Sequence, residues 1–270
     1  MRLTVLGCRA GMPADGQASS GYLLETATTR LLLDCGPGIA TALSSVTEPA
    51  SLDGIVISHF HSDHCYDLLP IGKSLLSGLA HEPGATVETI RRNGFTPVRL
   101  YVPRGSGDLF ARWAGLFPVH TFPLLDQAFE IAFDVREYEP GETHVVGDLS
   151  VAMHETRHAI PNCGVRIESA TATFAYTGDT GTTPALHDLA EDADLLLTEA
   201  TLAEPEVGDH GHLSGADAGV IAAKAGVGRL VLTHFAVADE RSLEHLRASA
   251  AESYEGPIAL AAPGVRFDIG

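Results

Sequence analysis

The stretch Ile55-Val56-Ile57-Ser58-His59-Phe60-His61-Ser62-Asp63-His64 decides how the rest of the chain is read. A short apolar run ends in four metal-competent side chains within six positions. With 13 His and 17 Asp among 270 residues, the spacing His-x-His-x-Asp-His arises by chance only about 0.002 times in a chain of this composition. Side chains two apart on an extended strand end point the same way, so His59 and His61 are predicted to face one point. The turn that follows swings Asp63 and His64 toward a second, and one loop can then serve two ions. Imidazole and carboxylate donors suit zinc first, with manganese or iron also accepted. The bland alternative is a solvated histidine loop ahead of a helix, which leaves this density of donors unexplained.

Two ions need more ligands than one loop supplies, and further donors stand where strands end. His158 follows the apolar alternation of Leu149 to His154 and precedes Asn162-Cys163-Gly164. Asp179 lies in Tyr176-Thr177-Gly178-Asp179-Thr180-Gly181, where glycines let the backbone turn sharply and bring a carboxylate close enough to bridge two cations. His234 ends the buried run Leu230 to Thr233. Singly, a strand-end histidine is ordinarily a packing or surface residue, and an aspartate between glycines is ordinarily a turn former. Together they form a ligand set.

Short β-like runs joined by Gly, Pro and Asp turns open the chain at Arg2 to Leu6, Gly21 to Glu25, Arg30 to Asp34 and Ile55 to Ile57. Asp67 to Leu79 reads as a helix, Val98 to Val102 as a strand and Asp108 to Ala114 as a helix. Strands are predicted at Phe129 to Glu137, Leu149 to His154, Gly164 to Glu168 and Thr173 to Tyr176, at meander spacing. Thereafter strands at Leu195 to Thr198, Leu230 to Thr233 and Ile258 to Ala262 alternate with helices at Ser214 to Ala225 and Glu240 to Ala251. Ser214 with Asp217 three residues on is close to a capping box. The expectation is strands early and α/β late, in one domain over residues 1–270, with a candidate substrate-recognition insert around residues 72–118.

Composition narrows the function. Apolar residues make up 45% of the chain and charged residues 19%, enough for a sizeable core. Seventeen basic against 35 acidic residues leave a net charge of −18, a field that disfavours extended nucleic acid. No window reaches 18 apolar residues and no basic–apolar leader opens the chain, so neither membrane insertion nor secretion is signalled. Cys8, Cys35, Cys65 and Cys163 form no C-x-x-C pair, which argues against a disulfide framework and favours a cytoplasmic setting.

The ordered set His59-x-His61-x-Asp63-His64, His158, Asp179 and His234 resembles the metallo-β-lactamase superfamily in its ribonuclease Z-like phosphodiesterase branch. Val5-Leu6-Gly7-Cys8, Ser20-Gly21-Tyr22-Leu23-Leu24, Leu31-Leu32-Leu33-Asp34-Cys35-Gly36, Leu197-Thr198-Glu199-Ala200-Thr201 and His212-Leu213-Ser214 extend the likeness over most of the chain. The resemblance implies a four-layer αββα sandwich with two divalent metal ions at one edge of its sheets. It puts His59, His61 and His158 on one ion, Asp63, His64 and His234 on the other, and Asp179 across both. It also implies that His212 protonates a leaving oxygen while Glu199 orients it, although residue types alone allow Glu199 a capping role and His212 a pairing with Asp209. Homodimerisation is a further implication.

Members of this branch that cut tRNA 3′ ends grip tRNA with a long arm inserted between the positions matching His158 and Asp179. Here those positions are 21 residues apart, room for two strands and a turn. The layout is similar to that of bacterial, especially actinobacterial-type, cyclic-nucleotide phosphodiesterases, which implies a small phosphodiester such as cAMP as substrate. Arg91, Arg92, Phe95 and Trp113 are candidates to stack on or pair with a base or phosphate, and each is also readable as plain packing or surface. Two rivals remain at this stage: an acyl hydrolase of the same superfamily, against which the Glu199/His212 pair stands, and a non-hydrolytic metal protein. Diiron relatives carry Glu at the position of His61, which disfavours a redox centre. His81, His120, His144, His154, His187, His210 and His245 lack a ligand-like setting. Cys65 reads as packing and Cys163 as a residue that could line the pocket.

Overall fold

The apolar runs are hydrophobic on both faces, and in the computed structural model both faces are covered. Residues 1–80, 84–206, 208 and 211–270 are described. The first sheet is built from β1 (Arg2–Gly7), β2 (Gly21–Glu25), β3 (Arg30–Leu33), β4 (Gly54–Val56), β5 (Val98–Pro103), β6 (Phe133–Tyr138) and the last strand of the chain, Arg266–Asp268. The second takes β7 (Thr143–Val146), β8 (Leu149–Glu155), β9 (Cys163–Glu168), β10 (Thr173–Tyr176), β11 (Leu195–Glu199), β12 (Leu230–Thr233) and β13 (Ile258–Leu260). Arg266–Asp268 is β14, and it pairs with β1.

Each sheet is antiparallel at one end and parallel at the other. In the first, β1 to β3 run antiparallel and β3 to β6 parallel. In the second, β7 to β10 run antiparallel and β10 to β13 parallel. Parallel neighbours need crossovers, so helices are required outside both sheets. Alternation along each strand then sorts the side chains: Leu24, Leu31 and Leu33 point between the sheets with Val151, Met153, Ile167 and Phe174, while Leu23, Leu32, Ile55 and Leu100 point outward under helices.

The first sheet is covered by α1 (Ile39–Ser44), the short α2 (Ser62–Cys65), α3 (Leu68–Ala80), α4 (Val87–Arg92), α5 (Gly107–Leu116) and α6 (Ala128–Ile131). The second is covered by α7 (Ala185–Ala190), α8 (Gly215–Ala225) and α9 (Glu240–Ala251). The layer order is the expected αββα sandwich. Gly215 and Gly219 of α8 lie against the backbone of Leu246 and Ala250 of α9, a close approach that any side chain would prevent. The Ser214–Asp217 capping box forms as read from the sequence. The four cysteines are free and buried, and no helix among the described residues is long and apolar enough to cross a membrane.

Two expectations are corrected. Phe129 to Ile131 are helical, and the strand begins at Phe133, because Phe129 stacks on Phe110 at 4.4 Å and packs on Trp113 rather than joining a ladder. The first half is as much α/β as the second, since β4, β5 and β6 extend β3 in parallel. Within the 72–118 stretch, β5 is an internal strand of the first sheet, where the sequence predicts a strand.

The loop after β3 and the residue ahead of β2 prop the histidine segment. Cys35 N–H donates to the His64 carbonyl at 2.6 Å and Ser20 N–H to the Asp63 carbonyl at 3.2 Å. A Cβ on Gly36 would collide with that Asp63 carbonyl oxygen. Gly36→Ala should therefore push the segment outward and cost about 1–3 kcal/mol of stability, read as a lower urea midpoint at unchanged slope.

Candidate metal centre

The candidate donors converge because four strands end at one rim. The segment 58–64 follows β4, His158 follows β8, Asp179 follows β10 and His234 follows β12. His59, His61, His158 and Asp179 form one group whose donor atoms lie within 4.8 Å of one another, and Asp63, His64, Asp179 and His234 form a second. In the first group, His61 Nδ1 stands 3.0 Å from both His59 Nε2 and His158 Nε2. In the second, His234 Nε2 stands 3.3 Å from both His64 Nε2 and Asp63 Oδ2. Donors bonded at 2.0–2.1 Å in a tetrahedral arrangement are about 3.3 Å apart.

Asp179 belongs to both groups. Its Oδ2 lies 3.8 Å from His59 Nε2 and 3.9 Å from His158 Nε2, while Oδ1 lies 3.3 Å from His64 Nε2. The residue is 2% exposed, and Oδ1 is a buried acceptor with no hydrogen-bond donor. A buried carboxylate oxygen without a donor, turned among imidazole nitrogens, is what a cation-binding site requires. The donor set fits divalent cations.

The nitrogens turned away from the centre are tethered. His64 Nδ1–H donates to Asp34 Oδ2 at 2.7 Å and His158 Nδ1–H to the Gly211 carbonyl at 3.0 Å, both acceptors that carry no proton of their own. Ser58 gives its hydroxyl proton to Asp34 at 2.9 Å, so its oxygen accepts from His59 Nδ1–H at 3.0 Å. These bonds fix the tautomers that leave each Nε2 lone pair facing inward.

Asp34 supports the candidate site without being one of the donors that residue spacing singles out. It is fully buried, adopts a left-handed φ of 57°, and accepts hydrogen bonds from Ser58 N–H, Ser58 O–H, His64 Nδ1–H and Tyr176 O–H. A carboxylate ending the apolar run Leu31-Leu32-Leu33 was the available signal. Asn162 is another: its side-chain amide donates to the Asp179 backbone carbonyl at 2.6 Å and holds that turn. His234 also takes a left-handed φ, 58°, a strained conformation for a non-glycine residue.

The charges balance locally. Burial pushes Asp179 toward protonation, but His234 and His64 outweigh it and hold the carboxyl well below its usual range. Burial pulls His64 down, yet Asp179 and Asp34 together hold its imidazole well above the ordinary value. His59 lacks such a balance, and burial followed by the neighbouring His64 drives it well below.

Glu199 and His212 meet at the same rim. Glu199 ends β11, is fully buried, and accepts Thr180 N–H at 2.6 Å, Thr201 O–H at 2.6 Å and His212 Nδ1–H at 2.9 Å. The His212 ring lies edge-on to His158 at 5.2 Å and stacked on His234 at 5.8 Å, so it sits over both groups, with its side chain 21% exposed. Burial lowers its pKa, but the Glu199 hydrogen bond and charge outweigh that and leave it raised. Asp209, the other suggested partner, lies outside the described residues, as do His81 and His210.

Other candidates resolve into packing or surface. Trp113 lies between Tyr66 and Phe129, Arg92 pairs with Glu88, Phe95 packs on the core beneath the first sheet, and Arg91 is exposed. Cys65 and Cys163 are both buried in the apolar core, Cys163 between the sheets rather than in a pocket. His144 packs at a tilt against Tyr101, and His245 bonds to Ala203 and Glu204. Among the described residues, His120, His144, His154, His187 and His245 join neither group.

The profile of the beta-lactamase superfamily domain matches residues 29–235. The chain belongs to this family. A Mycobacterium leprae relative, the uncharacterized protein ML1173, is 33% identical over all of this chain and 89% of its own. The probable metallo-hydrolase YhfI of Bacillus subtilis is 28% identical over 98% of each chain, and its crystal structure superposes with a TM-score of 0.82, covering 98% of each chain at 25% identity. Ribonuclease Z of Thermobifida fusca is 30% identical over 99% of this chain and 94% of its own. The protein is thus a metallo-β-lactamase-fold hydrolase of the ribonuclease Z-like branch, a family whose chemistry uses divalent metal ions.

Asp34→Ala should weaken divalent-cation binding about 10- to 100-fold by freeing the His64 ring, measured by chelator competition on protein that retains its far-ultraviolet circular dichroism.

Proposed function

We propose that this hydrolase is a dinuclear phosphodiesterase acting on a small diester such as a 3′,5′-cyclic nucleotide. The observation that carries the reading is His212, bound through Nδ1 to Glu199 at 2.9 Å and poised over both donor groups. In this reading His59, His61 and His158 hold one cation, Asp63, His64 and His234 the other, and Asp179 bridges them, with zinc the metal that best suits the donors. When bound, such a pair activates a water near neutral pH and neutralises charge on the phosphoryl oxygens.

The chain's own residues supply the rest. Expelling an alkoxide needs a proton, and an imidazole can deliver it near neutrality, an effect worth roughly 10²- to 10⁴-fold in rate. Glu199 accepts from Nδ1–H, which leaves Nε2 of His212 as the end that meets the leaving oxygen. The Asp63 carboxylate, besides serving as a ligand, accepts Gly11 N–H at 2.7 Å and ties the loop after β1 to the site. A thiolate leaving group would draw less on such an acid, which favours a diester over a thioester substrate.

Ribonuclease action is the second reading, favoured by the likeness to the Thermobifida enzyme. Against it stand the net charge of −18 and the hairpin of β9 and β10, which spans most of the interval from His158 to Asp179 and leaves no length for an arm.

Turnover of cAMP and bis-p-nitrophenyl phosphate, measured beside a thioester and a tRNA precursor, tests the reading. Cleavage of the two small diesters alone is expected, and exclusive thioester or tRNA cleavage would overturn it. His212→Ala should lower cAMP turnover roughly 10²- to 10⁴-fold with metal content unchanged, and equal loss of metal would remove its role as acid. Asp179→Asn should lose both cations, read by metal analysis.

A further inference from the structure

The Thr201 hydroxyl stands at the junction of two functional side chains. Its oxygen lies 2.6 Å from Glu199 Oε2 and 2.8 Å from His234 Nδ1. A hydroxyl has one proton to give. The Glu199 carboxylate and the His234 backbone carbonyl, at 3.1 Å, compete for it. Charge and the shorter distance favour the carboxylate. The Thr201 oxygen then accepts from His234 Nδ1–H, and His234 Nε2 is left unprotonated toward Asp63 Oδ2 and His64 Nε2. On the far side of Glu199, Oε1 holds His212 Nδ1–H. An unbroken hydrogen-bonded chain, His234–Thr201–Glu199–His212, results.

This chain explains a third convergence of donor atoms, that of Glu199, His212 and His234. His234 Nδ1–H and His212 Nδ1–H are already given to Thr201 and Glu199, so the group reads as a proton-bearing network rather than a third cation site. Thr201 also completes a pattern. Ser58 does for His59 what Asp34 does for His64 and the Gly211 carbonyl for His158, and Thr201 does the same for His234, whose Nδ1 lies 2.8 Å from the hydroxyl and 3.4 Å from Asp179 Oδ1.

We propose that Thr201 is a positioning residue that couples the cation site to proton delivery. Its hydroxyl sets the tautomer of His234 and at the same time holds Glu199 where it aims His212 at the leaving oxygen. The proposal rests on the phosphodiesterase reading for its second half and on geometry alone for its first. Thr201→Val keeps the side-chain volume and removes the hydroxyl, whereas Thr201→Ser keeps the hydroxyl.

The Val variant should hold divalent cation about 10- to 100-fold less tightly in chelator competition. At saturating cation, it should lose about 10²-fold in turnover of cAMP, which expels an alkoxide, but well under that on bis-p-nitrophenyl phosphate, whose phenolate leaves without an acid. The Ser variant should restore both. A Val variant with the wild-type ratio of the two turnovers, or a Ser variant as impaired as Val, overturns the proposal. If the unaltered protein cleaves neither diester, the phosphodiesterase reading fails separately. Chelator competition then decides Thr201, and equal cation retention in Thr201→Val and the unaltered chain overturns it.

Discussion

A single buried carboxylate, Asp179, is the constraint from which the rest of the site follows. An ionised carboxylate removed from water is strongly disfavoured unless opposite charge or hydrogen bonds replace its hydration. Here Oδ1 receives no hydrogen bond, and imidazoles of His59, His64, His158 and His234 surround the group instead. The two oxygens address two different sets of histidines, so one side chain joins what would otherwise be separate clusters.

Around this centre the protein spends its polar groups on orientation. Asp34, Ser58, Thr201 and the Gly211 carbonyl each take the outward proton of one histidine. Imidazole can present either nitrogen, and only a fixed tautomer keeps a lone pair aimed inward. The same economy places His212. Next to it Gly211 touches His158, and Gly208 accepts from Arg157 at 3.1 Å, so the His212 side chain and the His158 segment share one support.

The sandwich serves this convergence. Ends of β4, β8, β10, β11 and β12 reach a common rim, and parallel strands with helices outside leave that rim free for loops. Nearly every strand of the second sheet and the capping box at Ser214 were legible in local pattern, because period-2 alternation and continuous apolar runs are properties of neighbouring residues, whereas the αββα order followed from the family likeness. The helical turn at Phe129 was not, since its apolar spacing suits a strand equally well and only its partners Phe110 and Trp113 decide between them.

Sequence alone determined the donor inventory: a dense His-x-His-x-Asp-His segment, three further donors at strand ends, and a family likeness that pairs Glu199 with His212. Local spacing carries that information because chemistry demands particular side chains. What only tertiary structure decided is who tethers whom. Asp34 and His64 are 30 residues apart, and Thr201 and His234 are 33 apart. Pairing at such separations depends on the order of strands in a sheet and on which way a ring turns, and neither is written in any short stretch of chain.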